Sequence, residues 1–348
     1  MKQYIDIVKH VLENGKEKSP VRKNHQTGKW EPVDGGVKTL ACPNVVFSHN
    51  MSEGFPLLTT KKMAWRSIRV ELEGFIKGVT SKQWYKDRKC NFWNEWANPQ
   101  EVDKGLREWS RAMNDCDAYD HFTEEECFNH LVDNEIKKQC QEKLDDLGPV
   151  YGYSWRSFDQ HYDIDDTNWY DTYKEDPNGV YKGTDQLKNI VDALKNNPMD
   201  RRMVCSAWNP NQIHMMALPP CHYSWNVTVI GDELNLFWAQ RSCDLLLGVP
   251  ANIASYGLLL CLLAKVGGFK RGNLSGMLVD CHIYENQIDT AKEQITRDPR
   301  TLPNLEIPDN IMEKDDITHF DIFQWEWRDV ELTNYNPHPA LKKVNVVV

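Results

Sequence analysis

Apolar side chains at Tyr4, Ile7, Val8, Val11 and Leu12 recur at three- and four-residue intervals, a spacing that predicts an amphipathic helix over residues 4–14. A stretch rich in charge, proline and glycine follows (KEKSPVRKNHQTGKWEPVDGG), after which TLACPNVVFSH reads as a strand. Residues 64–78, AWRSIRVELEGFIKG, read as a helix that ends at Gly78. From residue 184 the pattern tightens. DQLKNIVDALKNNP predicts an amphipathic helix stopped by Pro198, and RRMVCSAWN a short strand. CHYSWNVTVIGDELNLFWAQRSC contains two β-rich runs turned at Gly231-Asp232, a hairpin. VPANIASYGLLLCLLAKVGG predicts a buried helix with Pro250 near its start and glycines at its end. GNLSGMLVDCHIYENQ then returns as a strand. Strands mixed with helices and at least one hairpin predict an α/β sandwich around a mixed sheet.

Two stretches depart from this order. Residues 99–147 are acid-rich, and Thr123 with Glu126 makes a capping-box pattern that opens a charged helix with Cys127, Leu131, Ile136, Cys140 and Leu144 along it. This region is expected to be a helical insertion on the side of one main domain that spans 1–348. A second insertion at about 161–183, rich in Asp, Tyr and Thr, is expected to be loop.

Composition narrows the possibilities. The chain has 348 residues, 41% of them hydrophobic, enough for a sizeable core. Its formal net charge of -10 argues against general nucleic-acid binding, which neutralises phosphates with basic residues. The start MKQYIDIVKHVLENG is amphipathic with interspersed charge, unlike a secretory signal. The longest apolar run, Tyr256 to Ala264, is too short to cross a bilayer. A soluble, cytoplasmic protein with no membrane partner is expected, in a host's cytoplasm if phage-encoded.

Ten cysteines lie at 42, 90, 116, 127, 140, 205, 221, 243, 261 and 281, with no CxxC pair among them, so reduced structural thiols are expected. Cys116, His121, Cys127, His130 and Cys140 fall close together but fit no standard zinc spacing, and no metal is expected. Cys221 stands apart. Pro219 and Pro220 fix the backbone ahead of it, and His222 is a polar neighbour. A lone cysteine is more often inert packing than a nucleophile, because a reactive thiol needs positive surroundings to populate its thiolate. Arg201-Arg202 and Arg241-Ser242 offer such charge, and they border strand-like runs where unpaired charge is costly. A cluster of arginine and serine suits a phosphate.

These motifs resemble those of the thymidylate synthase family. ALPPCH, RRMVCSAWN, AQRSCDLLLGVPANIASYG and CHIYENQ carry the resemblance in order and spacing. GFPLLTTKK, RSIRVELEGF, FWNEWA, LGPVYGYSWR and YNPHPALKKVNVVV extend it over all but residues 23–38, 99–146 and 161–183. The resemblance implies a three-layer sandwich around a mixed, largely antiparallel sheet, and a homodimer. It also implies one-carbon transfer to C5 of dUMP from 5,10-methylenetetrahydrofolate as co-substrate. Cys221 would attack C6 of the pyrimidine and make C5 nucleophilic. Glu71 would act as general acid/base through ordered water, with Tyr151 and His222 in the same polar network. Arg22, Arg241 and Ser242, with Arg201 and Arg202 from the partner subunit, would hold the phosphate. Gln240 would join the substrate site, and His282 and Tyr284 would bond the sugar 3′-hydroxyl. Trp93, Trp96, Leu218, Gly248 and Val348 would line the folate site, where Asp244 would accept from the pterin. Asn252 would choose the base, since a side-chain amide can donate to uracil O4 and accept from N3–H.

Several positions depart from the family's pattern, most of them on the folate side. Ala251 stands where phenylalanine is usual, Ala64 where histidine is common, and Gly74 where the glutamate's helix has tryptophan. Leu278-Val279 replace a glycine pair, Asn94 replaces an aspartate, and the tail VNVVV is altered. A folate pocket short of aromatic contacts would release tetrahydrofolate early and admit water, giving 5-hydroxymethyl-dUMP. Two enzymatic outcomes therefore stay open, thymidylate synthase and deoxyuridylate hydroxymethylase. An inactive binding or regulatory relative is the third reading.

Overall fold

A computed structural model describes residues 1–23, 29–32, 36–96, 145–160, 183–309, 311–313 and 316–341. The two expected insertions lie outside the described residues except at their last few positions. So do the clustered Cys116, His121, Cys127, His130 and Cys140, and Val348.

The helices, in chain order, are α1 (Lys2–Asn14), α2 (Trp65–Lys77), α3 (Lys82–Asp87), α4 (Tyr151–Ser157), α5 (Gln186–Asn196), α6 (Gly248–Gly267) and α7 (Ile288–Ile295). The chain divides into two compact units, one from residues 1–73, 188–205 and 221–348, the other from 74–187 and 206–220. Helix α2 gives its first residues to one unit and its last turn to the other.

The first unit is organised by a seven-stranded sheet. Its spatial order is β1 (Lys16–Lys18), β4 (Thr39–Asn50), β9 (Lys270–Tyr284), β7 (Glu233–Gln240), β6 (His222–Ile230) and β5 (Val204–Ser206), with β8 (Cys243–Asp244) also paired to β9. The short strands β2 (Val21–Lys23) and β3 (Trp30–Pro32), β10 (Asn304–Glu306) and β13 (Glu331–Thr333), and β11 (Met312–Glu313) and β12 (Asp316–Phe320) form three separate pairs. The β1–β4, β4–β9 and β6–β7 pairs are antiparallel, while β9 runs parallel to β7 and β8. The mixed sheet expected from the sequence is therefore present, and mostly antiparallel.

The hairpin turns where expected. Gly231 takes a φ of 64°, which a side chain would resist, and Asp232 pairs with Lys270 at 2.6 Å. Along the hairpin Trp225, Val227, Val229, Leu234, Leu236 and Trp238 are buried, at the period-two spacing of a strand with one face on a core. Joining parallel strands β7 and β9 requires a crossover, and α6 supplies it. Nearly all of its residues are buried in this unit, and Gly268 at φ 70° ends it. Gly257 lets the helix close on Pro56, whose Cγ would lie 2.6 Å from an added Cβ. Helix α6 is long and apolar enough, by length and composition alone, to cross a bilayer, but it is buried within this unit. Asn252 and Ser255 interrupt the apolar run without ending the helix, and it is the core helix of this unit.

The other side of the sheet presents Val46, Ser48, Asn235, Phe237, Ser275, Met277 and Val279. Val46, Phe237 and Val279 are exposed on it.

The second unit has an aromatic core. Phe75 stacks on Tyr151 with centroids 4.8 Å apart, and meets Trp155 and Trp93 edge-on. Gly152 permits this approach, since an added Cβ would fall 2.9 Å from the Phe75 Cα. Gly74 similarly leaves room for Tyr85, whose hydroxyl oxygen would lie 2.3 Å from an added Cβ. Tyr85, buried and carried on α3, packs directly over Gly74.

Candidate active site

Among the described cysteines only Cys221 is partly exposed; Cys42, Cys90, Cys205, Cys243, Cys261 and Cys281 are buried. Burial pushes the Cys261 thiol up to about 11 and Cys281 to about 12, and raises Cys42 and Cys243 as well. Such thiols stay protonated and unreactive. Cys221 follows Pro220 and immediately precedes β6. Its carbonyl accepts the Arg241 N–H at 2.8 Å, which brings Cys221 beside the Arg241-Ser242 pair that leaves β7. His222 lies opposite Gln240 in the ladder, and the register then shifts before Ser224. That irregularity re-aims the strand at its active end.

Gln240 links β7 to α6. Its Nε2 donates to the Ser242 carbonyl at 2.9 Å and to Asn252 Oδ1 at 3.1 Å, while its Oε1 accepts from the Trp238 indole at 3.2 Å. Gln240 is buried and Asn252 half-buried. Gly248, at the start of α6, has space beside Asn252 Oδ1, which would lie 3.7 Å from an added Cβ.

His222 Nδ1 and the Tyr256 hydroxyl are 2.8 Å apart. Burial lowers the His222 imidazole to about 3, so it is neutral near pH 7 and acts as a hydrogen-bonding group rather than a cation. Burial above all, with Cys205 and Glu71 nearby, holds the Tyr256 phenol well above its usual range. Glu71, half-buried on α2, is therefore within electrostatic reach of the Tyr256–His222 pair. Tyr256 stacks on Trp238 with centroids 5.3 Å apart.

Asp244 accepts the N–H groups of Leu246 at 2.8 Å and Leu247 at 3.2 Å, fixing the turn into α6. Burial raises its pKa, against the opposing charges of His282 and Lys61. Lys61 is buried, donates to the Leu246 carbonyl, and is brought down to about 8 by desolvation. Asp244 pairs in register with His282. Burial disfavours the His282 cation, but the hydrogen bond and charge of Asp280 and the charge of Asp244 outweigh it and raise the pKa. Asp280 is held at about 2 by the His282 hydrogen bond, aided by its ion pair with Lys18. Tyr284 meets His282 edge-on at 5.2 Å.

The remaining expected residues are elsewhere. Arg201 and Arg202 are exposed before β5, where Arg202 pairs with Asp200 at 3.0 Å. Arg22 lies in β2 opposite Glu31. In the second unit Trp93 is buried, its Nε1 having no hydrogen-bond partner among the described residues; Trp96 and Leu218 are half-buried, and Tyr151 is buried in the aromatic core. A buried indole N–H without a partner is what a polar ligand atom or water would satisfy.

The sequence reading missed Tyr256, Trp238 and Lys61. Tyr256 carried one signal, four residues after Asn252 and so one helical turn away. Trp238 carried none, because its partners come from other elements.

The model of the family described as thymidylate synthase matches residues 2–348. The protein named thymidylate synthase in Mycoplasma pneumoniae is 33% identical over 348 residues, covering 98% of both chains. Its namesake in Mycoplasma genitalium is 37% identical over 341 residues, again covering 98% of each.

Proposed function

The chain belongs to the thymidylate synthase family, and we propose on that premise that Cys221 is the nucleophile that activates C6 of dUMP. The enzyme is a methyltransferase that makes dTMP from dUMP, and the family's co-substrate is methylenetetrahydrofolate. The observation that carries the proposal is the 2.8 Å bond from Arg241 N–H to the Cys221 carbonyl, which sets the one partly exposed described thiol beside an arginine and a serine. Arg241 favours the thiolate and, with Ser242, takes the phosphate. Asn252 reads the uracil edge through its amide, with Gln240 behind it. His282 and Tyr284 bond the sugar hydroxyl. Glu71 moves the proton at the pyrimidine through ordered water, with His222 and Tyr151 in the same polar network and Tyr256 bonded to His222.

The folate supplies the one-carbon unit and the hydride. We assign to it Trp93, Trp96, Leu218, Asp244, Gly248 and Val348. The Trp93 N–H, without a partner among the described residues, would take a polar group of the folate. Arg22 is assigned to the phosphate. Arg201 and Arg202 are assigned to the phosphate of a second copy's site. Their exposure supports this, as do the exposed apolar residues Val46, Phe237 and Val279 on one sheet face. The protein so described is a cytoplasmic homodimer in which both units serve one catalytic domain.

No observation favours the alternative in which water completes the reaction. The test is to supply dUMP and methylenetetrahydrofolate and determine the nucleotide's mass. A methyl product with stoichiometric dihydrofolate is expected; a hydroxymethyl product with tetrahydrofolate would overturn the reading.

A further inference from the structure

We infer that Trp238, which is assigned no contact with substrate, is the positioning residue that sets which base the site accepts. The inference rests on the reading of Asn252 as the base-reading residue. A side-chain amide has nearly the same shape in either orientation, so its polarity must be imposed by neighbours. Two groups here have only one polarity: the Trp238 indole N–H can only donate, and the Ser242 carbonyl can only accept. Gln240 lies between them, 3.2 Å from the first and 2.9 Å from the second. Only one orientation satisfies both, with its oxygen toward Trp238 and its NH₂ toward Ser242. The second hydrogen of that NH₂ faces Asn252 at 3.1 Å, so Asn252 must present its oxygen there.

This fixes the edge left for a nucleotide. Asn252 keeps its NH₂ as donor and one oxygen lone pair as acceptor, matching uracil O4 and N3–H. Turned over, the same amide would match the cytosine amino group and N3. Trp238 and Gln240 are both buried, so water does not compete for these positions. The indole itself is held between Phe47 and Tyr256, at 5.7 and 5.3 Å.

The test measures dissociation constants for dUMP and dCMP by calorimetry, without folate, on wild type and two variants. Trp238→Phe keeps a ring for Tyr256 to stack on and removes the donor. Its dCMP-to-dUMP ratio of dissociation constants is expected to fall about tenfold, chiefly through weaker dUMP binding, as befits one lost buried hydrogen bond. Gln240→Glu can only accept, so Asn252 must turn its NH₂ toward it, and preference is expected to move to dCMP. A wild type without selectivity for dUMP would sink the base-reading assignment itself. A selective wild type with an unchanged ratio in Trp238→Phe would overturn the inference alone. If that variant does not fold, an unaltered uracil preference in Gln240→Glu does the same.

Discussion

The indole of Trp238, in the first unit, donates to a buried glutamine of imposed polarity, whereas the Trp93 indole of the second unit buries an N–H that finds no partner among the described residues. The first region is a chain of directed hydrogen bonds, from Trp238 through Gln240 to Asn252, and its content is direction. The second is a cluster of rings, Phe75, Tyr85, Trp93, Tyr151 and Trp155, whose content is area and shape. Directed bonds discriminate strongly because a wrong partner leaves a buried group unmet, while apolar surfaces discriminate weakly and accept rearrangement. On the assignments proposed above, the chain commits its selectivity to the nucleotide side, whereas its aromatic region is a surface filled from whichever element is at hand.

The sharpest way to test that division begins at the thiol. Cys221→Ser should cut turnover by at least roughly 10³-fold, since loss of a nucleophile removes the covalent route. dUMP affinity, measured by calorimetry, should stay near wild type because direction on this side is set by other groups. Mixed with Arg201→Ala, the serine variant should recover part of the activity if arginines are shared between copies; no recovery would count against that sharing. In the aromatic region, Gly74→Ala should lower stability by about 1–3 kcal/mol through overpacking against Tyr85. Thermal unfolding reads this, and nucleotide selectivity should not move; a shift in selectivity would break the division drawn above.

The smallest effect concerns His222. Its folded pKa of about 3 lies below the ordinary value of 6.5, so between those limits the unfolded chain takes a proton that the folded chain refuses. Stability should therefore fall as pH drops below 6.5. Between pH 6.5 and 5.5 the wild type should lose about 1 kcal/mol more than His222→Gln, as denaturant unfolding at the two pH values would show. Parallel losses in both proteins would mean that His222 is not held neutral.

Legibility in the sequence followed the same boundary. Elements whose signals are local were readable: the β6–β7 hairpin from its Gly231-Asp232 turn, α6 from Pro250 to its terminal glycines, and α5 from the stop at Pro198. The motifs that name Cys221, Arg241, Ser242 and Asn252 are also local, and three of them lie within a single stretch. What could not be read were contacts made across elements. Gly74 looked like a lost aromatic because nothing near it in sequence announces that Tyr85 packs directly over it. Trp238 gave no signal, because what distinguishes it is the atom its N–H meets.

Gly276 in β9 carries a consequence for any redesign of this enzyme. An added Cβ there would fall 2.4 Å from Trp238 Cζ2. Positions 276 and 238 therefore share one volume, and a side chain gained at the first must be matched by a smaller one at the second. Substituted alone, Gly276→Leu should behave as a lesion. Combined with Trp238→Ala it should recover part of the loss in stability, so that the two changes are strongly non-additive. The recovered protein would still lack the indole donor. Its packing could be repaired while its choice between bases was not, which makes this pair of positions a place where foldability and fidelity can be varied independently.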